Sequence, residues 1–204
     1  MHIPKPYRTE NREVMKKIIA ENGFALIISS KEKIRATHSM LLWNEENIEK
    51  PFVEAHISMT NPQAKEINNG DVVLCDFLGK HTYISSSWYN HINASTWNYE
   101  AVQIYGTVEL MTDAELKHHL DKLTNKYENH QKCPMTLEKM GNDFINKAMK
   151  GAFGFKIYPT EIYIAQKMSQ NRNQEDYENI IHQLEESSSK SDLEVAEIMK
   201  HLKN

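Results

Sequence analysis

From Phe24 to Met111 the chain carries six strand-like segments, at 24–29, 34–43, 52–58, 71–78, 81–85 and 97–111, and no long helix separates any two of them. Parallel neighbours need crossover connections of a dozen or more residues, usually helical. Short turns between these runs therefore predict antiparallel pairing. The third run shows the pattern plainly. Val53, Ala55 and Ile57 alternate with Glu54, His56 and Ser58, the period of a strand with one face on a core. In the longest run Val102, Ile104, Val108 and Leu110 share a side, with Gly106 between them. Glycine there predicts the bend or bulge that closing a small barrel requires.

The helical patterns lie mostly at the two ends. Thr9–Asn22 reads as a short helix capped by Thr9, with Val14, Ile18 and Ile19 on one face and Gly23 as a left-handed exit. Thr112 and Glu115 form a capping box for a helix striped by Leu116, Leu120, Leu123 and Tyr127. A short helix over 142–150 precedes a strand at 153–169, which Pro159 should interrupt. Asn173 caps a further helix with Tyr177, Ile180, Ile181 and Leu184 inward. Ser191 and Glu194 box the last, with Val195, Ile198, Met199 and Leu202 inward. Strands first and helices after them predict a mainly β chain with helices (α+β). Its antiparallel six- to seven-stranded barrel would span 1–170, and a helical extension, 171–204, would pack on the barrel or on a partner subunit.

At 204 residues and 40% apolar composition the chain can build one core. No apolar run approaches the roughly 18 residues of a membrane span, and the first ten residues lack a signal stretch. These features predict a cytoplasmic protein whose two cysteines, Cys75 and Cys133, stay reduced. Net charge is −4, and residues 173–204 set eight acids against three lysines, a balance of −5. Such a tail opposes a phosphate backbone, which argues against direct DNA contact.

The segment HTYISSSWYNHINASTWNY, residues 81–99, mixes two tryptophans and three tyrosines with hydroxyls and amides. That mixture suits a pocket for a flat, phosphorylated ligand, with rings flanking the heterocycle and hydroxyls or backbone N–H groups on the phosphate. On the strand at 34–43, Arg35 and Thr37 face one side and Ala36 and His38 the other. Asn61-Pro62 can start a helix whose free N–H groups, with Lys65 nearby, would meet an anion. Lys167 and Arg172 can bind phosphate, while Ser169, Gln170 and Asn171 can hydrogen-bond a ring edge or cap the next helix. The histidines show no metal-ligand spacing, and His118, His119 and His130 read as solvated. Neither cysteine reads as a nucleophile.

Seven of these motifs occur in the order found in one family. ATH (36–38), NPQ (61–63), HTYISSSWY (81–89), TWNY (96–99), YG (105–106), GFKI (154–157) and KMSQNR (167–172) resemble the PaiB family of FMN-binding negative transcriptional regulators. The likeness begins at MHIPKPY and runs through the C-terminal helices. It implies an FMN-binding split barrel, a homodimer, and flavin at the subunit interface. It places Thr37, His38, Asn61, Gln63, Lys65, Tyr83, Ser85, Trp88, Tyr89, Thr96, Trp97, Asn98 and Tyr99 around FMN. Lys167, Gln170 and Arg172 would close the pocket. Similar barrels are often FMN-dependent oxidoreductases or flavin reductases, the alternative function. For that alternative His38, His81 and Tyr83 are the candidate proton donors, and no catalytic residue is assigned. A haem-handling barrel with a histidine ligand is a third reading.

Overall fold

The computed structural model describes residues 1–203, among which seven strands and six helices form. β1 (Arg8–Thr9) and α1 (Arg12–Glu21) lead into β2 (Phe24–Ser30), β3 (Ile34–Asn44), β4 (Phe52–Ser58), β5 (Val72–Ile84) and β6 (Thr96–Leu110). α2 (Asp113–Glu128), α3 (Leu137–Met140) and α4 (Asn142–Met149) precede β7 (Ala152–Lys167), which α5 (Gln174–Glu185) and α6 (Lys190–Lys203) follow. The strand order is β1-β7-β4-β3-β2-β5-β6, and β6 pairs back onto β7. β2 to β7 thus close an antiparallel six-stranded barrel, and β1 adds a seventh strand beside β7. The chain folds as two compact units. One gathers Met1–Asn22, Phe77–Gln103 and the described residues from Tyr163 onward; the other gathers Gly23–Asp76 and Ile104–Ile162.

In the second unit the alternation of β4 points Val53, Ala55 and Ile57 into the core with Leu41, Phe155 and Ile157. The opposite face of β4 is covered too, since Glu54 is also buried. Two glycines permit close approach. A Cβ on Gly154 would lie 2.7 Å from Leu116 Cδ1 of α2, and one on Gly106 would lie 2.6 Å from both Ile157 Cγ2 and the Tyr158 carbonyl. The glycine in β6 therefore marks where β7 comes nearest. Pro159 does not interrupt β7. It follows the last β4 pair, Val53↔Ile157, so no donor is required of it on that side.

In the first unit, α5 and α6 bury Tyr177, Ile180, Leu184, Val195, Ala196 and Met199 against Ile84, Tyr89 and Met168. Asn173 caps α5 by accepting from the Asp176 N–H. Five local expectations change. Asn11, not Thr9, caps α1, and Asn22 ends it at φ −124°, without a left-handed exit. Ser191 lies inside α6, where Asp192 accepts from Thr82 and Ser187 instead. Leu202 is 42% exposed rather than inward. The two runs at 71–78 and 81–85 form one strand, whose inward residues are Val73, Cys75, Phe77 and Gly79, then Thr82 and Ile84. The parity changes across Lys80 and His81, as in a bulge, which made one strand look like two.

Candidate functional site

The predicted cofactor residues divide between the two units. In the first unit the 3-10 turn Ser86–Trp88, the start of β6 and the turn after β7 carry most of them. Ser85 caps its turn by accepting from the Ser87 N–H, and its hydroxyl lies 2.9 Å from that of Ser87. Tyr89 is buried, and the Trp88 carbonyl accepts from Asn179 of α5 at 2.6 Å. Trp97 is 53% exposed and meets Tyr83 edge-on and His81 at a tilt, each at 6.1 Å between ring centroids. These three rings make an open aromatic wall. Asn98 points the other way, fully buried, with Met199 Sδ 3.4 Å from its amide nitrogen.

The turn after β7 is held by its own side chains. Ser169 is buried at φ 60°, in the left-handed region that a non-glycine residue rarely adopts. Its hydroxyl donates to Asn98 Oδ1 at 3.0 Å, and its carbonyl accepts from the Arg172 N–H at 3.0 Å. Gln170 accepts from the Met168 N–H at 2.7 Å and donates to the Gln166 carbonyl at 2.5 Å. Backbone strain of this kind costs about 1–3 kcal/mol and persists where its surroundings enforce it.

That turn fixes two cations. Lys167 donates to Thr96 and, at 2.6 Å, to the Trp97 carbonyl, with its ammonium 6.0 Å from the Tyr99 ring centre. Arg172 stacks 4.5 Å over the Tyr89 ring, and its Nε is buried without a partner among the described residues. Neither cation is paired with a carboxylate of the described residues. Burial lowers the Lys167 ammonium pKa, and Arg172 lowers it further. An anion would relieve both. Tyr7 belongs to this group as well, its phenol pushed up by burial against the opposing pull of Arg172. Its only sequence signal was its place in the MHIPKPY opening.

In the second unit, Thr37 accepts from the Asn61 amide at 2.9 Å, and Asn61 Oδ1 accepts from the Gln63 N–H at 2.9 Å. The expected helix is a single 3-10 turn, Pro62–Lys65, so only Lys65 remains as an exposed charge there. Gln63 is fully buried, donating to the Ile27 carbonyl and Ser29, and its Oε1 has no partner among the described residues. His38 is exposed and stacks on Phe24 at 5.5 Å. Arg35 pairs with Glu66.

One cluster escaped the sequence reading. His119 is 1% exposed, not solvated. Its Nδ1 lies 3.0 Å from Glu54 Oε2, and its Nε2 lies 2.9 Å from His56 Nδ1. Lys122 and Asn44 complete the shell of Glu54. The outer face of β4 is polar, so α2 presents a polar residue to it. Burial pushes Glu54 up, yet the bonds from His119, Lys122 and Asn44 hold it at about 2. Burial, with the charge of His119 beside it, lowers His56 to about 4.

A closed antiparallel barrel of this order is the split barrel found among flavin-binding proteins. It matches the FAD and Heme binding protein from Mycobacterium smegmatis with a TM-score of 0.60 at 12% identity, over 83% of this chain and 78% of that one. The flavocytochrome Anf3 from Azotobacter vinelandii matches at 0.59 and 15%, over 87% and 78%. These likenesses establish the fold. The chain itself belongs to the family described as "Putative FMN-binding domain", whose model covers residues 1–161. It is 36% identical over 200 residues to the Protease synthase and sporulation protein PAI 2 of Bacillus subtilis (strain 168), spanning 98% of this chain and 96% of that protein. It is thus an FMN-binding, PaiB-like protein.

Proposed function

We propose that the protein is a PaiB-like negative regulator, cytoplasmic and homodimeric, that acts through FMN rather than by reading DNA itself. The observation carrying this is the 36% identity sustained over 98% of the chain to a protein named for protease synthesis and sporulation. Among the described residues no helix is long and apolar enough to cross a membrane. The apolar stripes of α5 and α6 are consumed in the core cluster, and their segment carries the −5 balance, so neither is suited to a DNA groove.

Lys167 and Arg172 have the charge for the FMN phosphate, and the unpartnered Arg172 Nε is the donor that an anion would satisfy. Ser85 and Thr96 add hydroxyls, and Trp97 and Tyr83 offer ring surface beside the isoalloxazine. Bound flavin supplies the redox chemistry, while these residues hold and orient it. Thr37, His38, Asn61 and Lys65 form the corresponding set of the second unit. A second copy of the chain is supported by its apolar outer strand face, where Phe24, Ile34 and Val72 are 65%, 75% and 60% exposed.

The open wall of His81, Tyr83 and Trp97 favours a second reading, an FMN-dependent oxidoreductase, because it leaves ring faces and two titratable groups accessible. Flavin fluorescence titration should show saturable quenching by FMN; absence of flavin binding refutes both readings. Catalytic reduction of the bound flavin by NAD(P)H would select the enzyme. Salt-sensitive binding to promoter DNA at low ionic strength would overturn the indirect mode of regulation.

A further inference from the structure

A phosphate monoester presents three strong acceptor oxygens and close to two negative charges at neutral pH. Lys167 and Arg172 match that charge, yet part of their donor capacity is engaged within the protein. The Lys167 ammonium, with three N–H groups, already donates to Thr96 and to the Trp97 carbonyl. Arg172 donates from Nη2 to the Tyr89 hydroxyl at 3.4 Å, and its buried Nε is left for the anion. A further donor that brings no negative charge would complete such a site.

Tyr7 is placed to be that donor. β1 pairs with β7 in antiparallel register through Arg8↔Ala165 and Thr9↔Ile164. Tyr7 therefore precedes the ladder on the side where β7 runs on to Gln166, Lys167 and the strained turn at Ser169. The 3-10 turn Lys5–Tyr7 holds it there, with the Tyr7 N–H donating to the Pro4 carbonyl at 2.9 Å. Its phenol is half-buried and within electrostatic reach of Arg172, Tyr89 and Tyr99. The two cations face the rings of those same tyrosines, Lys167 that of Tyr99 and Arg172 that of Tyr89. All five residues belong to the first unit. The Tyr7 hydroxyl has no hydrogen-bond partner among the described residues. Burial raises its pKa, so the phenol keeps its proton for donation at neutral pH.

We infer that Tyr7 is a further cofactor-binding residue, whose hydroxyl donates to the FMN phosphate alongside Lys167 and Arg172. The inference rests on the reading that these two cations hold that phosphate. A neutral phenol suits the place, because it adds a donor without repelling the anion. The segment leading into β1 thereby becomes one wall of the phosphate site, joined to it by the β1–β7 ladder. Riboflavin has the same ring system and no phosphate, so it offers the Tyr7 hydroxyl nothing to meet.

The test titrates the full chain with FMN and with riboflavin, read by flavin fluorescence, in the parent, Tyr7→Phe and Arg172→Ala. Tyr7→Phe keeps the ring and removes the hydroxyl. It should weaken FMN about tenfold, as loss of a hydrogen bond to a charged group does, and leave riboflavin affinity unchanged. Arg172→Ala should likewise lower the preference for FMN over riboflavin. If Arg172→Ala lowers that preference and Tyr7→Phe does not, the inference on Tyr7 alone is overturned. Equal weakening of both flavins by Tyr7→Phe overturns it too, because the hydroxyl then serves the fold. If neither variant changes the preference, the phosphate reading itself fails, and the role of Tyr7 with it. Should Tyr7→Phe not fold, nitration of the parent by tetranitromethane, mapped by mass spectrometry, reads the same contact. FMN should protect Tyr7 and riboflavin should not; any other pattern refutes the assignment.

Discussion

Acidification should weaken the fold through His56 before Glu54 titrates. The group falls from 6.5 to about 4 on folding, through burial and the neighbouring charge of His119. A lowered folded value means that the unfolded chain takes up the proton first. Stability is therefore complete above pH 6.5 and is lost as pH drops towards 4. Between pH 8 and pH 5 the linkage amounts to about 2 kcal/mol, a large part of the stability of an ordinary domain. Glu54 works in a separate window, from 4.5 down to about 2, so it does not contaminate this range. Urea unfolding at half-unit pH steps measures the effect. The control is His56→Asn, whose side chain can reach His119 but does not titrate. Its stability curve should be flatter by about 2 kcal/mol over the interval. Parallel curves for the parent and the variant would refute the reasoning, because the loss would then belong to other histidines.

Three further outcomes follow from the geometry. Gly106→Ala places a methyl 2.6 Å from the Tyr158 carbonyl and should cost about 1–3 kcal/mol in urea unfolding. Ser169→Ala keeps the left-handed strain and loses the bond to Asn98, whereas Ser169→Gly removes the strain. The alanine variant should thus be the less stable by roughly 1 kcal/mol in thermal melts. Arg172→Ala should weaken FMN binding about tenfold to a hundredfold, as loss of a charged hydrogen bond does, and Trp97→Ala should weaken it too; unchanged flavin titrations would move the pocket elsewhere.

The strands were legible because their signal is local. Each alternation in β4 or β6 can be read without knowing what lies opposite. The boundaries that failed depend on partners. Pro159 is harmless only because β4 has ended, and β5 looked like two strands only because its inward parity changes at His81. The same distinction runs through the site. Lys167, Gln170 and Arg172 stand within six residues, and their shared turn was visible as a cluster. His119 was not visible, because it is defined by a carboxylate 65 positions away on β4. A polar residue becomes informative there only when the surface meant to cover it is known.

The division of the chain into two units has a consequence for synthesis on the ribosome. One unit draws on residues 23–76 and 104–162, so all of it is synthesised before Tyr163. The other joins the first twenty-two residues to the described residues from Tyr163 onward. Residues 1–22 must wait, partly unpartnered, until Tyr163 and the residues after it have been made. Lys167 and Arg172 belong to that later stretch, so on the proposed reading a nascent chain gains its cations for the flavin phosphate only after residue 172 has emerged. Products truncated before Lys167 should remain colourless.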